Sequence, residues 1–138
     1  MEEKGGGLRN CLIAMADRPE ELELVDRYLR AARNAHLYAF RVHRQLVELD
    51  VDPDHIRALL AESAAIVLQE MPALTRDWRV LEREWFETEL LDPANLDRKT
   101  RALKARFGEL GPALETLRAR QEEIVADLVD LLDEARRR

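Results

Sequence analysis

The sequence predicts an all-α fold, a bundle of three long antiparallel helices. Two observations carry this prediction. Apolar residues recur at spacings of three and four along most of the 138-residue chain, which is the periodicity of amphipathic helices. An Asp-Pro pair, typical of a helix start, occurs at positions 52–53 and again at 92–93. These pairs divide the chain into three helical stretches.

The first long helix is predicted to begin after Pro19 and to run to about Asp50. Acidic residues fill its first turn, where a negative charge stabilises the positive end of the helix dipole. We expect residues 1–7, which contain a Gly triplet, to be a flexible lead. We expect residues 8–138 to form a single bundle domain, with a short apolar helix over 8–16 docked on it.

Each of the other two helices contains an interior proline, which removes a helical hydrogen bond and bends or ends a helix. Pro72 interrupts the second helix, and Pro112 interrupts a long heptad seam in the third. A chain reversal near Asp92 places the two prolines side by side, so we expect two kinked but continuous helices. The alternative is that Gly108 to Pro112 forms a true loop, which would make a four-helix bundle.

Six polar residues fall on the apolar faces of these helices. They are His36, His43, Ser63, Glu70, Asp77 and Gln121. With chain reversals near Val51 and Asp92, the register predicts that His36 faces Glu70. The same register predicts a layer of His43, Ser63 and Gln121, and it places Asp77 near Arg27, Tyr28 and Phe107.

The simplest interpretation of these polar residues is that they set the helix register, because buried polar groups must find partners. The alternative is a site for a metal or a small polar ligand. Histidines seven residues apart on one helix are separated by ~10 Å, and one His with one Glu is too few ligands for a closed zinc site. We therefore predict no metal and no cofactor.

No sequence motif indicates an enzyme. Ser63, His43 and Glu70 have the residue types of a catalytic triad, but three such types occur together in a bundle core by chance. Gly-rich phosphate loops and zinc-protease or hydrolase motifs do not occur in the sequence. We therefore predict a protein without catalytic residues.

The net charge of −6 disfavours a general nucleic-acid binder, because that affinity comes mostly from Lys and Arg on phosphates. However, 19 of the 22 basic residues are Arg, and several of the basic residues fall in two clusters. The clusters are Arg27, Arg30, Arg33, Arg41 and Arg44 on the first helix, and Arg98, Lys99, Arg101, Lys104 and Arg106 on the third. Arginine suits phosphates and carboxylates, so nucleic-acid binding through this basic face is an alternative function.

The sequence also predicts where the protein resides. It has one cysteine, Cys11, which excludes an internal disulfide and favours a reducing compartment. Its apolar runs are too short to span a bilayer. We therefore expect a cytoplasmic protein without a membrane partner.

The predicted helices offer more apolar surface than a three-helix bundle needs. The first is apolar over roughly half its circumference, and the third adds Val125, Val129 and Leu132 beside its seam. We therefore expect an interaction protein that self-associates through these residues or serves as a small subunit of an assembly. The alternatives are a nucleic-acid-associated subunit and a ligand- or metal-binding bundle that uses His36, His43 and Glu70.

Overall fold

A computed structural model of the protein describes residues 19–51, 53–91 and 93–138. The described chain is all-helical, which confirms the predicted fold class. The helices are α1 (Glu20–Glu48), α2 (Pro53–Ala65), α3 (Met71–Leu91) and α4 (Leu96–Arg137). A π-helical turn, Ile66–Glu70, joins α2 to α3, and a 3₁₀ turn, Pro93–Asn95, precedes α4. The predicted lead over 1–7 and the predicted helix over 8–16 lie outside the described residues.

The first chain reversal is a Schellman motif at the end of α1. The N–H of Val51 donates to the carbonyl of Leu46 at 3.3 Å, and the N–H of Asp50 donates to the carbonyl of Val47 at 3.2 Å. Asp50 has a φ of 56°, the left-handed conformation that this motif requires. Asp adopts it more readily than most residues with a Cβ, so the chain turns here without a glycine.

The second chain reversal has the predicted register. Lys99 of α4 bonds Glu84 of α3 at 3.1 Å, and Gln121 of α4 donates to the carbonyl of Ser63 of α2 at 3.3 Å. These contacts fit a reversal near position 92 and place Pro72 and Pro112 at about one level. α4 is helical without interruption through Gly108 and Pro112, so the alternative of a loop there is wrong.

α1 and α4 lie parallel, since α4 returns in the direction of α1. Gln121 donates to the carbonyl of Ala32 at 3.1 Å, and Arg136 donates to the side-chain oxygen of Gln45 at 2.6 Å. Both contacts join residues about 90 positions apart. A residue of α1 is therefore level with the α4 residue about 90 positions later.

The π turn explains which face of α2 and α3 is buried. The core positions of this segment are Ile56, Leu59, Ser63, Ile66, Met71, Thr75, Trp78 and Trp85. From Ile56 to Trp78 their spacing is three or four except between Ile66 and Met71, where it is five, and Trp85 follows Trp78 by one heptad. At the spacing of five, the N–H of Met71 donates to the carbonyl of Ile66. A π turn holds one extra residue, so it rotates the face of α3 by about one position.

Pro72 follows this turn directly. A proline has no N–H and its ring clashes with the carbonyl four residues earlier in a regular α-helix. The π turn thus lies directly before the residue that disrupts the regular ladder of the helix. The Thr75 hydroxyl donates to the carbonyl of Met71 at 2.9 Å, a bond to the carbonyl four residues earlier that Thr commonly makes inside a helix.

No helix in the described part of the chain is long and apolar enough to cross a membrane.

Candidate functional site

The buried polar residues form a smaller layer than the sequence predicts. Ser63 and Gln121 are fully buried, and Nδ1 of His36 lies 2.9 Å from Oγ of Ser63. Gln121 donates to the carbonyls of Ala32 and Ser63, so this layer joins α1, α2 and α4. The predicted contact of Ser63 with Gln121 is therefore confirmed, and it is His36 that completes the layer.

The predicted contact of His43 with Ser63 is wrong, since His36 occupies that place. His43 lies one heptad further along α1, with its ring centroid 6.2 Å from that of Phe40. Its Nδ1 is buried and makes no hydrogen bond within the described part of the chain. The Schellman turn sets the α1–α2 register about one heptad from the predicted one, which explains the exchange.

Glu70 and Asp77 are not core residues, and the contacts predicted for them with α1 are wrong. The π turn rotates both onto the surface, where 77% of the Asp77 side chain is exposed. Asp77 pairs with Arg106 of α4 at 3.6 Å and so does not face Arg27 or Tyr28. Glu70 lies at the edge of a surface groove between α2 and α4.

The polar layer has no geometry for catalysis or metal binding. Ser63 is inaccessible to a substrate, and Glu70 lies on the surface, so Ser63, His43 and Glu70 do not form a triad. Within residues 19–51, 53–91 and 93–138, no three His, Cys, Asp or Glu side chains cluster as metal ligands do. The layer instead fixes the relative positions of three helices.

The predicted basic face is divided among several environments. Arg27 pairs with Glu23 at 3.6 Å, and both border a shallow hollow with Asp26 and Arg30. Lys99 and Arg106 pair with acidic side chains across the α3–α4 interface. The others are exposed: Arg33, Arg41, Arg44, Arg98, Arg101 and Lys104.

An apolar groove lies between the parallel helices α1 and α4, and we call it the α1–α4 groove. Its volume is about 530 Å³. Its walls are Asn34, Ala35 and Tyr38 on α1 and Glu122, Val125, Ala126, Val129 and Asp130 on α4. Two of the three predicted interface residues, Val125 and Val129, lie in it. The third, Leu132, is only 5% exposed and belongs to the core, because α4 turns it towards the bundle interior.

The acidic residues beside this groove are partly neutralised by Arg118. Its guanidinium bonds Glu115 and Glu122, which lie on the same helix. The hydrogen bond from Arg118 holds the pKa of Glu115 below its ordinary value, and the hydroxyl of Tyr28 on α1 lowers this pKa further. The cluster therefore links α4 to α1 at one end of the groove.

A second ion cluster links α4 to α2. Arg120 bonds both carboxylate oxygens of Glu62, Oε1 at 3.1 Å and Oε2 at 2.5 Å, and it also bonds Glu123 at 3.1 Å. The hydrogen bond to Glu62 raises the pKa of Arg120. Arg118 and Arg120 of α4 thus both have acidic partners.

A further groove lies between α1 and α3, and the sequence did not lead us to expect it. We call it the arginine groove, because Arg33 of α1 and Arg76, Arg79 and Arg83 of α3 line it. Its volume is about 470 Å³, and its other lining residues are Leu29, Val67, Met71, Pro72, Thr75 and Val80. A signal was present in the sequence, since the three α3 arginines recur at spacings of three and four on one helix face.

Comparisons with protein-family models, with curated proteins and with solved structures find no match to this chain.

Proposed function

We propose that this protein is a helical-bundle interaction protein that forms a homodimer through the α1–α4 groove. The observation that carries the proposal is the groove itself, an apolar hollow between parallel helices. Two of its lining residues, Ala35 and Ala126, are small, and the half-exposed Tyr38 lies beside them. Exposed aromatic side chains next to small residues are typical of interfaces in which one copy inserts a ring into the other.

The symmetry of the dimer follows from the parallel helices. A twofold axis along the bundle sets α1 of one copy against α4 of the other and keeps each residue at its own level. Tyr38 is then level with position 128 of the facing α4. It therefore meets the hollow at Ala126 and Val129 of the second copy, and the contact occurs twice.

Charge complementarity favours a second copy as the occupant of the groove. The α1 wall continues from Asn34 to Arg41, which is exposed and forms no ion pair with the described residues. The α4 wall carries Asp130 and, one turn further, Asp133, both exposed. In the same arrangement Arg41 of each copy is level with these two carboxylates of the other. The basic wall of one copy thus meets the acidic wall of its partner.

The experiment is sedimentation equilibrium of the full chain over a range of concentrations. We expect a dimer for the unchanged protein and a monomer for Ala126→Glu, which puts a charge into the hollow. Ala126 is exposed, so the variant should keep its helicity. At concentrations low enough to dissociate the wild-type dimer, the two proteins should have the same unfolding midpoint. The matched control is Leu68→Glu, since Leu68 is 71% exposed on the opposite side of the bundle and should leave the dimer intact.

A charge exchange tests the register of the dimer. Arg41→Glu and Asp130→Arg should each weaken the dimer by roughly tenfold, because each places like charges together. The double variant should regain most of the lost affinity. A wild-type protein that stays monomeric at high micromolar concentration would refute the proposal. A dimer that ignores Ala126→Glu would refute this interface.

A further inference from the structure

The arginine groove brings four guanidinium groups to one hollow, and only one of them, that of Arg79, has carboxylate partners among the described residues. Arg79 bonds Asp26 of α1 at 3.1 Å and Glu82 at 3.0 Å. Arg33, Arg76 and Arg83 form no ion pair with any residue in the described part of the chain. On α4, by contrast, Arg106, Arg118 and Arg120 all have carboxylate partners.

This arrangement leaves a positive charge that folding does not need. Arg76, Arg79 and Arg83 are neighbours on one face of α3, and like charges at these spacings repel each other. Arg33 adds a fourth guanidinium from α1. Two carboxylates, Asp26 and Glu82, offset only part of this charge. The groove therefore has a fixed excess of hydrogen-bond donors that an anion would satisfy.

The floor of the groove restricts the kind of anion. Leu29, Val67 and Val80 provide aliphatic surface between the arginines. The Thr75 hydroxyl is already bonded to the carbonyl of Met71, and Pro72 has no N–H to offer. Among the described residues no aromatic side chain lines the groove, so they give a nucleotide base nothing to stack on.

From these features we infer that the arginine groove binds a small amphipathic anion, with a phosphate or carboxylate head and an aliphatic body. The head lies between Arg76, Arg83 and Arg33, and the body lies against Leu29, Val67 and Val80. The volume of about 470 Å³ is within the range of small-ligand sites. Recognition of the head by charge predicts that an alkyl carboxylate, with one negative charge, also binds, but more weakly than an alkyl phosphate, which carries nearly two.

The experiment is a calorimetric titration of the full chain with octyl phosphate below its micelle concentration. We expect one binding site per chain, and we expect octanoate to bind at the same site with lower affinity. Arg76→Gln and Arg83→Gln should each weaken binding by about tenfold, the loss of one charge-assisted contact. The matched control is Arg98→Gln with Arg101→Gln. These two exposed arginines are on α4, outside the groove, and their loss should leave the affinity unchanged.

Two further titrations separate the head from the body. Inorganic phosphate, which lacks the chain, and octyl glucoside, which lacks the charge, should each bind at least ten times more weakly than octyl phosphate. Equal binding of either compound would overturn the proposal, as would an affinity that does not respond to Arg76→Gln and Arg83→Gln. Retention of single-stranded RNA through the same arginines, without binding of octyl phosphate, would assign the groove to nucleic acid and also overturn the proposal.

Discussion

His36 and Ser63 form the hydrogen bond that joins α1 to α2 inside the bundle, with 2.9 Å between Nδ1 and Oγ. The bond lies beside Gln121 of α4, so three helices meet at one polar layer. Such a layer specifies register, because a shift of any one helix leaves a buried donor or acceptor without a partner. The register in turn determines which walls face each other in the two grooves.

Ser63→Ala tests this bond. The substitution removes the hydroxyl and leaves the half-buried His36 without its partner, so we expect a loss of about 1 kcal/mol in the free energy of unfolding. Glu70→Ala is the matched control on the same helical segment. Glu70 is exposed, so its substitution should change stability by less than about 0.5 kcal/mol. Urea unfolding measures both, and equal effects of the two would contradict the assignment.

Gly108 and Gly111 provide a second pair of positions to compare, because both lie inside α4. Gly111 also precedes Pro112, which disfavours the helical conformation of a residue with a Cβ. A Cβ at position 108 would have no atom within 4 Å. A Cβ at position 111 would lie 3.1 Å from Cζ of Phe107, whose ring packs 6.1 Å from that of Trp78. The ring cannot withdraw without disturbing the core.

Gly108→Ala should therefore stabilise the protein by about 0.5 to 1 kcal/mol, the usual gain from replacing glycine inside a helix. Gly111→Ala should gain less than this or should destabilise, because the contact with Phe107 offsets the helical preference. Thermal and urea unfolding of the two variants check the difference. A larger gain at position 111 would show that Phe107 moves freely.

The hydrogen bond between Arg118 and Glu115 predicts a pH dependence. The pKa of Glu115 is lower in the folded protein than its ordinary value of 4.5. The carboxylate therefore contributes stability above pH 4.5, and this contribution is lost as the pH falls through the lower folded pKa.

The difference in unfolding midpoint between wild type and Glu115→Gln should be largest near neutral pH and should shrink below pH 4.5. Tyr28→Phe should reduce this difference only slightly, since the Tyr28 hydroxyl is the weakest cause of the shift. A constant difference from pH 7 to pH 3 would contradict the assignment.

The helices and the second chain reversal could be predicted from the sequence, since periodicity and the Asp-Pro pairs are local signals. The first register could not, because the Schellman turn at Asp50 and the π turn at Ile66–Glu70 each shift it. A π turn has no reliable sequence pattern, although Pro72 shows that the helix ladder must change nearby. Glu70 and Asp77 were expected to be buried because regular α-helical spacing would place them on the core face.

The arginine groove was missed for a related reason. Its residues come from two helices, and which faces meet depends on the rotation that the π turn introduces. The α1–α4 groove could be predicted in part, since Val125 and Val129 stand beside the heptad seam of α4. Leu132 follows the same spacing but is buried. Its position beside the seam does not show on which side of α4 the nearest helix lies, so the sequence could not predict this.

The π turn itself gives the most specific prediction. Deleting one residue from a regular helix rotates all later residues by about 100° and breaks the core. Here the spacing of five between Ile66 and Met71 means that deletion of Leu68, combined with Pro72→Ala, should restore a regular α-helix while Trp78 stays buried. The matched control deletes Asp127, an exposed residue between the buried Ile124 and Leu128 in regular α4, and it should unfold the protein. Tryptophan fluorescence and urea unfolding compare the two deletions. If both deletions are equally destabilising, the π turn is not what shifts the core face.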